Sequence, residues 1–195
     1  MAAIRILLGI FCLAVTCSIG KFERNLLKPA DLYRQQLIST AEKEIGIREL
    51  TGKNDGPRVE SYLRITGLKK GQPWCAAFIS WVFYQNGYSQ PRSAWTPALF
   101  PAAKIVNQAE PGNLLGIYYP ELKRIAHVGL IVRTQGDWII SIEGNTNIDG
   151  SRAGDGVYLK RRHQRTIYQI ADWVTAEKKT DPAAIFPVKK PFLKP

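Results

Sequence analysis

QPWCAAFISWVFYQNG, residues 72–87, is the stretch whose reading decides the fold. A Gly-Gln-Pro loop delivers the chain to Trp74 and Cys75. From Cys75 to Asn86 the apolar residues Ala76, Ile79 and Phe83 recur at helical spacing, with Phe78 and Val82 beside them, and Gly87 follows as a C-terminal stop. The face is too wide and too apolar for a surface helix, so it predicts a helix in the core with a cysteine at its first turn. Upstream, Pro29 opens a helical pattern over 29–50, with Leu37, Ile38, Ala41 and Ile45 on one side and Gly46 near its end. TGKNDG (51–56) is a turn cluster, and Pro57 opens a short helix that Gly67 stops.

Downstream the pattern changes. Residues 89–112 hold four prolines and read as an irregular, partly helical connection. Residues 114–119, 125–133, 138–143, 157–161 and 166–171 are short runs rich in Val, Ile and Tyr, divided by turn clusters. Helices first and strands afterwards predict an α+β domain with an antiparallel sheet.

The chain has 195 residues, 45% hydrophobic and 22% charged, so one domain with a sizeable core is expected, and a wholly disordered or collagen-like chain is excluded. Residues 1–20 have a basic start at Arg5, an apolar run from Ile6 to Cys17 and small residues at Ser18 and Gly20, the layout of a secretory signal. The run spans roughly 18 Å as a helix, against about 30 Å for a bilayer core. Export to the periplasm, the cell envelope or the medium is therefore expected, with no transmembrane helix in the mature chain. A lipid anchor on Cys17 is the alternative. Residues 21–176 are expected to form the domain, and 177–195, with four prolines and five lysines, a basic extended tail.

Of three cysteines, Cys12 and Cys17 lie in the signal, which leaves Cys75 alone in the domain. An oxidising compartment ordinarily pairs its cysteines, so an unpaired one is either a reactive thiol or a small buried hydrophobe. The helix start favours the thiolate, because free N–H groups and the helix dipole stabilise an anion there. A thiol nucleophile needs a base and a group that orients the base. His127 opens the apolar strand HVGLIVR; His163 sits in the charged segment RRHQR and is expected to be solvated, its arginine neighbours offering no orienter. Across the turn Thr134–Asp137, an odd-length loop centred on Gln135 or Gly136 places Glu143 or Asn145 opposite His127, on its side of the sheet. A two-residue loop turns both to the other face unless a bulge intervenes. The odd-length loop is predicted, with Gly136 left-handed.

GQPWCAAFISWVF, PGNLLGIYY, IAHVGLIV and ISIEGNTN, taken in that order, resemble the CHAP branch of papain-like cell-wall amidases and peptidases, and the wider NlpC-type peptidases are similar in order and fold. The likeness runs from about residue 35 to 173. It implies a papain-like fold, N-terminal helices on an antiparallel sheet or partial barrel. It also implies a catalytic set of Cys75, His127, Glu143 and Asn145, with Glu143 the favoured orienter. Asn113 departs from the family's usual Pro-Gly-Asp turn. The implied substrate is the peptide part of peptidoglycan, cleaved through a thioester with no cofactor and no metal. Transfer of the same acyl group to an amine, or an inactive wall-binding module, are the rival readings.

Asp55 and Trp95 are substrate-binding candidates, Asp55 otherwise a cap for its turn. Gln72 is a candidate oxyanion donor. Trp74, Trp81, Trp138 and Trp173 are assigned to packing. A net charge of +11 suits an anionic cell envelope; no nucleic-acid motif is present, and no nucleic-acid partner is expected. A monomer is expected.

Overall fold

In a computed structural model, residues 28–149 and 153–174 are described. The expected signal, its cysteines Cys12 and Cys17, and the tail 177–195 lie outside them. Three helices come first: α1 (Pro29–Glu42), α2 (Pro57–Arg64) and α3 (Cys75–Gln85). Six strands follow: β1 (Ile105–Val106), β2 (Leu114–Tyr119), β3 (Arg124–Gln135), β4 (Trp138–Thr146), β5 (Gly156–His163) and β6 (Gln169–Ala171). They form one antiparallel sheet in the order β1-β6-β2-β3-β4-β5. The α+β class is as the helix-then-strand order dictates.

α3 is the centre of the core. Every residue from Cys75 to Phe83 is buried, which explains why its sequence has no polar face. Tyr62 of α2 packs its ring 5.5, 5.3 and 5.2 Å from those of Trp74, Phe78 and Trp81, and each such buried ring contributes on the order of 2 kcal/mol. Glu44 is buried beside them and is held by Arg58 and the Tyr62 hydroxyl. Burial works against its charge, but these two partners keep its carboxyl below the usual range. Arg34 ties α1 to the far end of the sheet, donating to Asn113 Oδ1 at 2.6 Å and Asp172 Oδ2 at 2.5 Å. Asn113, the departure from the family turn, is thus a structural acceptor.

Several boundaries differ from the sequence reading. α1 stops at Glu42, not 50: Gly46 takes φ 96°, and Gly46 to Glu49 runs along the start of β5, bonding Val157 and Asp155. Ile45, expected on the buried side, is 43% exposed. The proline-rich connection contains the two-residue strand β1, too short to show a period. β5 continues to His163 and absorbs the charged segment that was expected to be a turn, while β6 is shorter than its apolar run.

The hairpin loop also differs. Gln135 pairs with Trp138, so the loop is two residues, Gly136 and Asp137. Gly136 has φ 56°, at the position where a type II′ turn places glycine. The register then shifts between Ile131 and Arg133, and one extra residue on β3 restores the expected parity: Ile131 faces Ser141 and Leu130 faces Ile142. Glu143 returns to the side of His127 by a bulge, not by an odd loop.

Gly144 lies where β4 crosses α3. A Cβ there would sit 2.7 Å from Trp74 Cζ3 and 2.8 Å from Phe78 Cγ. Neither ring can move without disturbing the tip of α3, so Gly144→Ala is expected to destabilise by about 1–3 kcal/mol, read as a lower midpoint in urea with an unchanged slope.

Candidate active site

Cys75 is the first residue of α3, and no side chain caps that helix end. Trp74, just before it, is pinned by Glu49, whose Oε1 accepts its indole N–H at 2.8 Å. The Cys75 sulfur lies 3.6 Å from Thr96 Oγ1 and 3.9 Å from the Ala126 carbonyl oxygen. Ala126 is the extra residue at a bulge in β3, where pairing shifts between His127–Ile117 and Ile125–Tyr118. A bulge of this kind re-aims the neighbouring side chain, here His127.

The His127 ring joins two groups. Nε2 is 2.8 Å from Glu143 Oε2, and the ring and the Cys75 thiol each shift the other toward its charged form. Glu143 is fully buried. An isolated carboxylate in such a place would be very costly, and its oxygens are accordingly crowded with donors. Oε1 accepts from Ser141 Oγ at 2.7 Å and Arg162 Nε at 3.0 Å; Oε2 accepts from Arg162 Nη2 at 2.6 Å as well as facing His127. Gly129 leaves the room for this, since a Cβ there would sit 2.7 Å from Glu143 Cγ.

These contacts set the protonation states. Burial opposes the Glu143 charge, but Arg162 and then His127 outweigh it and hold the carboxyl at about 2. Burial likewise opposes an imidazolium at His127, but Cys75 and Glu143 together raise the ring to about 9. Burial pushes the Cys75 thiol up; His127, Thr96 and the Ala76 N–H pull it down further, so that it ends below the ordinary thiol value. Both shifts run toward a thiolate beside an imidazolium.

The sulfur borders an open cleft of about 380 Å³ whose walls include Gln72, Trp95, Thr96, Arg124 and Ala126. Trp95 is 54% exposed, and Gln72 borders the cleft as expected of a loop just before the cysteine. A larger hollow of about 530 Å³ follows the β1–β6 edge, between Ile105 and Gln169, and does not include the cysteine. Two candidates stand apart. Asp55 closes its own loop, its oxygens accepting from the Thr51 N–H at 2.9 Å and the Thr51 hydroxyl at 2.8 Å, and it does not line the cleft. Asn145 is half-buried with φ 52°, where the β4–β5 register breaks between Glu143 and Thr146. The bond to His127 is made by Glu143.

Arg162 and Ser141 were missed by the sequence reading, which placed Arg162 in a charged turn. Once β5 is known to reach His163, the period of two puts Arg162 on the Glu143 side, and that is the signal available. Thr96 gave no signal beyond its place next to Trp95. His163 is half-buried, accepts from the Arg165 N–H at 3.2 Å and lies over Trp138, away from the cysteine.

No family model and no curated protein matches the chain. A solved structure of the peptidoglycan hydrolase RipB from Mycobacterium tuberculosis is similar, at 16% sequence identity and a TM-score of 0.46, over 73% of this chain and 65% of that one. The chain thus spans about two thirds of the length of the RipB chain it matches.

The charges at this site carry a pH dependence of stability. Glu143 has a folded pKa of about 2, below its unfolded value of 4.5, so its contribution is present above pH 4.5 and fades as pH falls toward 2. His127 has a folded value of about 9, above its unfolded value of 6.5, so its contribution is full below 6.5 and is lost as pH rises through 9. Glu143→Gln is expected to lower stability at pH 6 by about 3 kcal/mol and to flatten the loss between pH 4.5 and 2, as measured by denaturant melts across pH.

Proposed function

We propose that the protein is a cysteine hydrolase that cleaves amide bonds in the peptide part of peptidoglycan. The observation that carries the chemistry is the His127–Glu143 bond, together with the Cys75 thiol that His127 polarises, at a helix start that borders an open cleft. The substrate class comes from the likeness of the four sequence segments to CHAP and NlpC-type wall enzymes, and the charge of +11 suits an anionic envelope.

In this reading the Cys75 thiolate attacks the amide carbonyl carbon, and the carbon–oxygen electron pair moves onto oxygen. The free N–H groups at the start of α3, with the Gln72 side chain at the cleft wall, receive that oxyanion. The carbonyl re-forms, the carbon–nitrogen bond breaks, and the His127 imidazolium gives its proton to the departing amine. A thioester to Cys75 and a neutral imidazole remain. Water then attacks the thioester; His127 takes its proton and returns it as the thiol leaves, releasing the acid. Glu143 holds Nε2 so that the other nitrogen faces sulfur, and it stabilises the imidazolium. Asn145 shapes the end of β4 beside this set. The enzyme acts outside the cytoplasm, delivered by residues 1–20, with acylation of Cys17 as the anchored form.

The test is digestion of purified murein followed by mass spectrometry. New free amines or shortened stem peptides are the expected result; amide exchange in their place identifies a transferase, and retained binding with unaltered murein identifies a wall-binding module. Cys75→Ser is expected to lower turnover at least about a thousandfold with the melting curve kept, and equal activity in that variant refutes the nucleophile. Because His127 must be protonated to release the amine, kcat/KM is expected to fall as pH rises through about 9.

A further inference from the structure

Three arginines of this fold hold carboxylates. Arg34 holds Asp172, Arg58 holds Glu44 and Arg162 holds Glu143. Arg124 is placed differently. It is half-buried at the start of β3, three residues before His127, and it lines the cleft beside Cys75. Its guanidinium carbon lies 4.3 Å from the centre of the Trp95 ring, and Nη1 donates to the Ile125 carbonyl at 3.2 Å. No carboxylate pairs with it among the described residues, and none lines the cleft. The guanidinium is therefore pre-oriented by a ring face and one carbonyl, with its remaining donors unclaimed by any acid. A planar fork fixed in this way is suited to a carboxylate and poorly matched to a neutral amide.

We infer that Arg124 and Trp95 form a subsite for a free carboxylate on a residue flanking the scissile amide, so that the preferred substrates are acidic peptides. This deepens the proposed hydrolase and rests on it. Trp95 keeps the guanidinium flat against the cleft wall, and it offers its exposed edge to the apolar part of the same substrate residue. The carboxylate, desolvated between the two, would then set how far the peptide slides past the sulfur. The subsite makes amidation of that acid a natural means of resistance: the carboxamide has the same shape and lacks the charge.

The experiment separates binding from turnover. In Cys75→Ala protein, which can hold a peptide without cleaving it, tryptophan fluorescence is titrated with murein stem peptides carrying free carboxylates and with the same peptides converted to carboxamides. The free acids are expected to bind at least about tenfold more tightly. The ratio should drop to near one in Cys75→Ala/Arg124→Met and be partly restored by Arg124→Lys, which keeps the charge and loses the fork. Trp95→Ala should weaken the discrimination as well. Equal binding of acid and amide by Cys75→Ala protein, or a ratio unaffected by Arg124→Met, overturns the subsite. Cleavage of the peptides by Cys75→Ala protein overturns the hydrolase mechanism instead, so the two failures are distinct.

Discussion

A carboxylate with no exposure to water governs this molecule. Glu143 would be intolerable in its position alone, and the surrounding architecture can be understood as the means of keeping it ionised. Arg162 reaches it from β5 with two hydrogen bonds, Ser141 from its own strand with one, and His127 from β3 with another. Three of the six strands are thereby tied at one point. Gly129 is small because Glu143 fills its place, and Gly144 is small because α3 presses on the other side of the same strand. Backbone size, strand register and buried charge are satisfied together or not at all.

The same group bears on the sulfur through the imidazole between them. Glu143 favours a protonated imidazole, and a protonated imidazole favours a thiolate. All three groups are buried, so their Coulombic attraction is not screened as it would be at the surface. Two bulges supply the geometry. One, after Ile131, brings Glu143 to the correct face of the hairpin; the other, at Ala126, turns His127 toward the start of α3. An antiparallel ladder of ideal register would not join a helix tip to the middle of a sheet in this way.

Much of this was legible in the residues. A uniformly apolar run that begins with a cysteine and ends before a glycine reads as a core helix with a thiol at its dipole end, and the hairpin sequence contained one histidine and one acid at nearly reflected positions. The period of two was sufficient to bring His127 and Glu143 together even though the loop length was misjudged, because the bulge compensates for it. What was hidden has a common cause. Arg162 sits in a run of charges whose period is invisible until the strand is known to extend through it. Thr96 meets the sulfur from a segment with no period at all. Polar contacts made across long sequence separations leave no local pattern.

The central claim is that Glu143 acts on Cys75 through His127, and the ultraviolet absorbance of the Cys75 thiolate, followed against pH in the native protein and in Glu143→Gln, tests it most directly. The account predicts a thiolate that forms well below the ordinary thiol range of about 8.5 in the native protein and moves upward in the variant. A native thiol that titrates at the ordinary value, or a midpoint that Glu143→Gln leaves in place, would contradict it.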